Sequence, residues 1–121
     1  MAKSLFLLGR IALERGEFET AEQRFKQSME MYDALGQQNS IDKAAVMTHL
    51  GKALSEQYKE PEAEPWLRAA LNIGKAQLGT DHPQVAEQMA RLADVLEGQA
   101  KNDEAAIWFR TSLNIKRRIL G

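Results

Sequence analysis

Cysteine is absent from the 121 residues. That excludes disulfides, thiol nucleophiles, zinc knuckles and redox motifs together. Proline is scarce, with only Pro61, Pro65 and Pro83, so long stretches are free to be helical. There is no long hydrophobic run either. The longest, Leu5-Phe6-Leu7-Leu8, is soon broken by Arg10 and Glu14, far short of the ~20 residues that span a bilayer. Met1-Ala2-Lys3 leads straight into a helix-patterned segment with no cleavage-like site, which predicts a cytoplasmic protein. Neither sign of charge dominates: 16 Lys+Arg face 17 Asp+Glu, for a net charge of −1. A nucleic-acid partner is therefore not expected, because broad attraction to phosphate needs a surplus of cations. The basic run Lys116-Arg117-Arg118 suits the C-terminal end of a helix, where cations are favoured, with membrane or nucleic-acid contact as the weaker reading.

Chemistry-bearing constellations are equally sparse. His49 and His82 are the only histidines, and neither has ligands at metal-binding spacing. No glycine-rich phosphate loop or nucleophile elbow is present. The carboxylates Glu60, Glu62, Glu64, Asp103 and Glu104 fall at helix starts, where negative charge suits the dipole. The expectation is no catalytic residue, no metal and no cofactor.

What is present is repetition. The length fits one domain, residues 1–121. Displaced by 42 residues, the chain falls onto itself: 15 of the 36 positions from Ala44 to Gly79 are identical to those from Ala86 to Gly121. The matches include Met47 with Met89, Leu50 with Leu92, Gln57 with Gln99, Lys59 with Lys101 and Trp66 with Trp108. A more diverged copy lies upstream, with Leu8, Gly9 and Ala12 preceding Leu50, Gly51 and Leu54. Three copies result, over approximately 2–39, 40–81 and 82–121.

Each copy reads as two helices. Apolar or small residues recur at i, i+3, i+4 and i+7 in the first, as in Met47, Leu50, Gly51 and Leu54. The second carries Ala63, Leu67 and Ala70, or their counterparts. Gly9 and Gly51 sit inside helices, where glycine costs about 1 kcal/mol relative to alanine, which implies close approach by a neighbour. Pro61 and Pro83 suit first helical turns, whereas Pro65 predicts a kink or a late start. Asp81 and His82, and later Asn102 and Asp103, have capping character. No segment alternates as a strand does. The prediction is all-α: six helices in three antiparallel hairpins.

The pattern Leu8-Gly9, Gly16-Glu17-Phe18, Ala21, Phe25, Ser28 resembles a tetratricopeptide repeat. The 42-residue period, with Leu78-Gly79-Thr80-Asp81-His82-Pro83 between copies, is similar to the variety found in kinesin light chains. The resemblance implies a right-handed α-α superhelix whose first helices line a concave groove and whose second helices cover the back. It implies a non-catalytic scaffold for protein–protein interaction, holding a peptide or helical segment in that groove. Leu7, His49 and Arg91 stand where such relatives carry asparagine, so no amide clamp is carried over. Tyr58, Ala100 and Asn102 replace glycine and aromatic residues of the pattern, which predicts looser later turns.

Helical spacing names the groove face: Lys3, Phe6, Arg10 and Leu13, then His49 and Lys52, then Arg91 and Asp94. This face is basic in the first two copies and acidic toward the third, which predicts an acidic protein or peptide partner. The plainer reading is solvated charge and local pairs such as Lys52 with Glu56 or Arg91 with Glu87, each worth ~0.2–0.5 kcal/mol. Trp66 and Trp108 read either as convex-side anchors or, preferably, as packing between hairpins.

Gly121 falls where Gly79 falls, so the chain reads as a segment of a longer array, or as one that covers its ends by self-association. Ile107, Ile115, Ile119 and Leu120 would form the exposed end patch. The second functional reading is accordingly a structural, oligomerising segment that makes contact through its stacking surfaces.

Overall fold

The helices start and stop where the local chemistry directs. In the computed structural model, which describes residues 1–121, there are six of them and no strand: α1 (Ala2–Glu14), α2 (Phe18–Ala34), α3 (Ile41–Glu56), α4 (Glu60–Leu78), α5 (Pro83–Gly98) and α6 (Asn102–Leu120). Ser40 caps α3, its hydroxyl accepting from the backbone N–H of Lys43 at 3.1 Å. His82 caps α5 through Nδ1, which accepts from the N–H of Gln84 at 3.1 Å, and Pro83 is the first helical residue. Asn102 and Asp103 do not cap α6: both already lie inside it, and Lys101 precedes it with no side-chain bond. Nor does Pro65 delay α4, which runs unbroken from Glu60. Pro65 is its sixth residue, past the four N-terminal donors that lack an intrahelical acceptor, so the helix forgoes one bond there and still continues to Leu78.

The three hairpin turns are one motif repeated, and the later two are not looser than the first. Glu17, Lys59 and Lys101 each donate a backbone bond of 2.9 Å, to Ala12, Leu54 and Leu96 respectively. Gly16, Tyr58 and Ala100 donate the companion bond that completes a Schellman closure. That closure needs a left-handed residue, and these three have φ of 77°, 60° and 62°. Glycine meets the requirement without cost, whereas a side chain there stores about 1–3 kcal/mol of strain. Tyr58→Gly is therefore expected to stabilise the chain by about 1 kcal/mol, less than the full strain because glycine also loosens the unfolded chain. A urea midpoint that moves up at constant slope checks this; a lower midpoint contradicts it.

Within each hairpin the helices approach closely through the small residues of the first helix. A Cβ on Gly9 would lie 2.5 Å from the Phe25 ring, and one on Gly51 would lie 2.6 Å from Leu67. The core follows the repeat: Phe25, Leu50, Leu54, Leu67, Leu92, Leu96 and Ile115 are all buried. Ser28 and Ser112, two periods apart, are buried with hydroxyls donating to the carbonyls of Ala2 and Ala86 at 2.8 and 2.7 Å.

Every helix packs on its sequence neighbours, which gives a stack. Beyond that, the backbones of α1 and α3, and of α3 and α5, come close, while those of α2, α4 and α6 stay apart, α4 and α6 meeting only through long side chains such as Arg68 and Glu104 at 2.7 Å. The first helices are thus the closer set, and the stack curves toward them into an α-α superhelix. Their free faces form its inner, concave side.

The two ends differ from the middle. Leu8 is 49% exposed although its counterparts Leu50 and Leu92 are buried, because no helix stacks on that side of α1. Leu113 is 51% exposed although its counterparts Met29 and Leu71 are buried. The end patch on α6 is Ile107, Leu113, Ile119 and Leu120. Ile115 is not part of it; the side chain turns into the core and is 1% exposed.

Candidate functional site

The concave side carries three ladders of repeat-equivalent side chains. Arg10, Lys52 and Asp94 form one, Leu7, His49 and Arg91 a second, and Phe6, Thr48 and Ala90 a third. Where the first two ladders are basic, the groove deepens into a cleft of about 320 Å³ lined by Arg10, Leu13, Glu14, Thr48, His49, Lys52, Glu87 and Arg91. It continues past Phe6 on one side, and past Lys52 and Arg91 to Asp94 on the other. Seven of the eight side chains named from the sequence therefore line connected parts of one groove. Lys3 is exposed on the first turn of α1 and lines none of it.

The floor is aromatic. The ring of His49 meets Phe6 edge-on at 5.0 Å between centroids, and Phe25 lies 6.0 Å away. The guanidinium of Arg10 sits over the Phe6 ring at 5.7 Å. Burial holds the imidazole below the ordinary histidine range; a hydrogen bond to the carbonyl of Ala45 opposes this, and the cations Arg10, Arg91 and Lys52 reinforce it. Asp94 is pushed up, first by burial and then by Glu97 and Glu87, against the opposing pull of Arg91.

The cations differ in what they already hold. Arg91 pairs with Glu87 at 3.1 Å, as the spacing suggested. The suggested pair Lys52–Glu56 is not formed, and neither Lys52 nor Arg10 has a carboxylate within 4.0 Å. Two unpaired cations one helix apart, beside the half-buried Leu13 and Phe6, can hold an anionic group while an apolar neighbour docks. Nowhere do three or more His, Asp or Glu side chains gather as a metal site would require.

On the other side of the hairpins the charges serve the stack. Glu22 accepts from Gln57 at 3.0 Å and pairs with Lys26 and Lys59. One period later Glu64 accepts from Gln99 at 2.8 Å, from Lys101 at 3.0 Å and from Arg68 at 2.9 Å. This clasp between hairpins was not read from the sequence, where Glu64 counted only as a helix-start charge. Its signal was there in the 42-residue spacing of Glu22, Gln57 and Lys59 from Glu64, Gln99 and Lys101. Burial pushes the Glu64 carboxyl up, but bonds from Lys101, Arg68 and Gln99 outweigh it and bring its pKa to about 2. A carboxyl depressed on folding adds stability above its unfolded range and loses it as pH falls toward that value. Between about pH 4.5 and 2, the chain should therefore lose more stability than Glu64→Gln does. Parallel acid-denaturation curves would contradict this.

Trp66 and Trp108 are half-buried and pack against the core, with the Lys75 ammonium 5.3 Å from the Trp108 ring centre. They are packing groups on the second helices. No helix is long and apolar enough to cross a membrane.

Known structures share this architecture. BtubC (BKLC) from P. vanneervenii superposes with a TM-score of 0.92 at 18% identity, over 97% of this chain and 46% of that one. A putative kinesin light chain with nearly identical TPR-like repeats from Podosopora anserina gives 0.88 at 18% identity, over 98% and 56%. The TPR domain of Arabidopsis FLU gives 0.85 at 21% identity, over 97% and 95%. The chain spans about half the length of the first two. At these identities the likeness concerns the fold. No curated protein matches. The sequence itself matches the tetratricopeptide repeat model over residues 42–118, taking in α3 to α6 almost entirely. The chain belongs to the tetratricopeptide repeat family.

Proposed function

We propose that this chain is a non-catalytic, cytoplasmic scaffold whose concave groove holds an acidic peptide or helical segment of a partner protein. Tetratricopeptide repeats serve in general as protein–protein interaction scaffolds, and the groove supplies the specific reading. The observation that carries it is the pair Arg10 and Lys52, unpaired cations facing a cleft with an aromatic floor. A micromolar complex needs roughly 8 kcal/mol. Charge at this exposure supplies only part of that, so Phe6 and Leu13 act as apolar anchors beside it. Titrating acidic and basic peptides of equal length at low and high salt tests the reading. Preference for the acidic ones, weakening as salt shortens the Debye length, supports it. Equal affinity for both contradicts it.

A second contact mode has its own support. On the outer face of α6, Leu113 is exposed where its counterparts are covered by the next hairpin. That face suits stacking by another helical pair, as in self-association. Sedimentation of the chain and of Leu113→Glu across a range of concentrations tests it. A monomer at every concentration rules out self-association.

A further inference from the structure

Resting on the groove reading above, we propose that the cleft takes up its anionic partner together with one proton, carried by Nε2 of His49. The tautomer follows from the bond that the ring makes. Nδ1 lies 2.9 Å from the carbonyl oxygen of Ala45, and a carbonyl only accepts, so Nδ1 bears the hydrogen. Nε2 is therefore bare in the neutral ring. It has no protein partner, yet it is not sealed inside: the buried side-chain nitrogen and oxygen atoms without partners belong to Gln88 alone. His49 lines the cleft, so Nε2 is the polar atom it offers there.

An empty cleft keeps the ring neutral. Arg10 from α1, Lys52 from α3 and Arg91 from α5 surround it, and burial already disfavours its charge. The facing carboxylates are Glu14 from α1 and Glu87 from α5, the latter held by Arg91. The wall includes no residue of α2 or α4; from α2 the Phe25 ring lies beside the imidazole.

A carboxylate entering between Arg10 and Lys52 changes both conditions. It offsets the cations that oppose protonation, and it presents lone pairs to a bare nitrogen, an arrangement in which neither side donates. Transfer of one proton from solvent to Nε2 turns the acceptor into a charged donor and removes that conflict. No other bond forms or breaks. Binding and protonation then favour each other reciprocally.

Proton NMR of the 121-residue chain tests this with acetylated, amidated hexaglutamate as the probe. Only two histidines are present, and His82, which does not line the cleft, serves as the internal control. The titration runs from about pH 8 to about pH 5.5, above the ordinary glutamate range. With hexaglutamate present the His49 midpoint should rise by about half a unit or more, while that of His82 stays fixed. Affinity should tighten as pH falls over the same range, approaching about threefold for a half-unit rise, and His49→Gln should flatten that dependence. If hexaglutamate shifts the signals of Arg10 and Lys52 while the His49 midpoint stays in place, the proton linkage is wrong and the groove reading stands. If no groove signal moves at any pH, both fail.

Discussion

Phe25→Ala is expected to cost about 3–5 kcal/mol, the range for emptying a buried phenylalanine site. The ring is 0% exposed and serves three elements at once. It fills the close approach left by Gly9 in α1, packs beside Phe6, and lies next to His49 in α3. Its loss is local in origin, because each unit of a stack touches only its neighbours. The α1–α2 hairpin should therefore loosen first. Trp66 and Trp108 report on the other two hairpins, while far-UV circular dichroism reports on all six helices. In urea the variant should lose part of its dichroism before its tryptophan emission changes. Two coincident transitions at the wild-type midpoint would contradict this packing account. Since Phe25 also supports the groove floor, acidic-peptide binding should weaken in the same variant.

The second large effect is on binding. Arg10→Glu with Lys52→Glu converts a cleft of three cations and two carboxylates into one of a single cation and four carboxylates. Neither residue has an ion-pair partner to lose, so the fold should persist with little change in urea midpoint. Juxtaposed like charges cost several kcal/mol, and about 3 kcal/mol corresponds to a loss of roughly a hundredfold in affinity for an acidic peptide at low salt. The variant should come to prefer basic peptides. Unchanged affinity would show that the partner does not rest on these cations. The effect should shrink at high salt, since both side chains reach solvent.

The six helices and their pairing were legible because a 42-residue period is a property of sequence alone, and every hydrophobic stripe repeats with it. The groove face was legible for the same reason: residues displaced from the stripe by a fixed helical angle must share a side. Lys3 shares its register with Ala45 and Glu87, which line the groove, but its own side chain is exposed on the first turn of α1 and lines none of it. The turns were misread because residue type argues for glycine where the backbone bends left. The packing of each hairpin nonetheless enforces that bend on Tyr58 and Ala100. Ile115 was misplaced for a related reason: the helical phase of a terminal hairpin decides which isoleucine turns inward, and an exposed end disguises it.

One position obeys no rule read from the repeat. Gln88 occupies the place of Val46, is 1% exposed, and its amide has no partner. It fills the space beside Gly74, where a Cβ would collide with its oxygen. Tyr32, the counterpart of Gly74, shows the opposite distribution of volume. Volume is conserved between α4 and α5 at the expense of an unsatisfied amide, and such an exchange shows only in three dimensions.

Amide hydrogen exchange of the chain, with and without an acidic peptide that it binds, tests the central claim most directly. Added protection should fall on α1, α3 and α5 around Arg10, His49, Lys52 and Arg91, and be absent from the outer face of α6. Protection confined to α6 or to the second helices would show that partners are held somewhere other than the concave side.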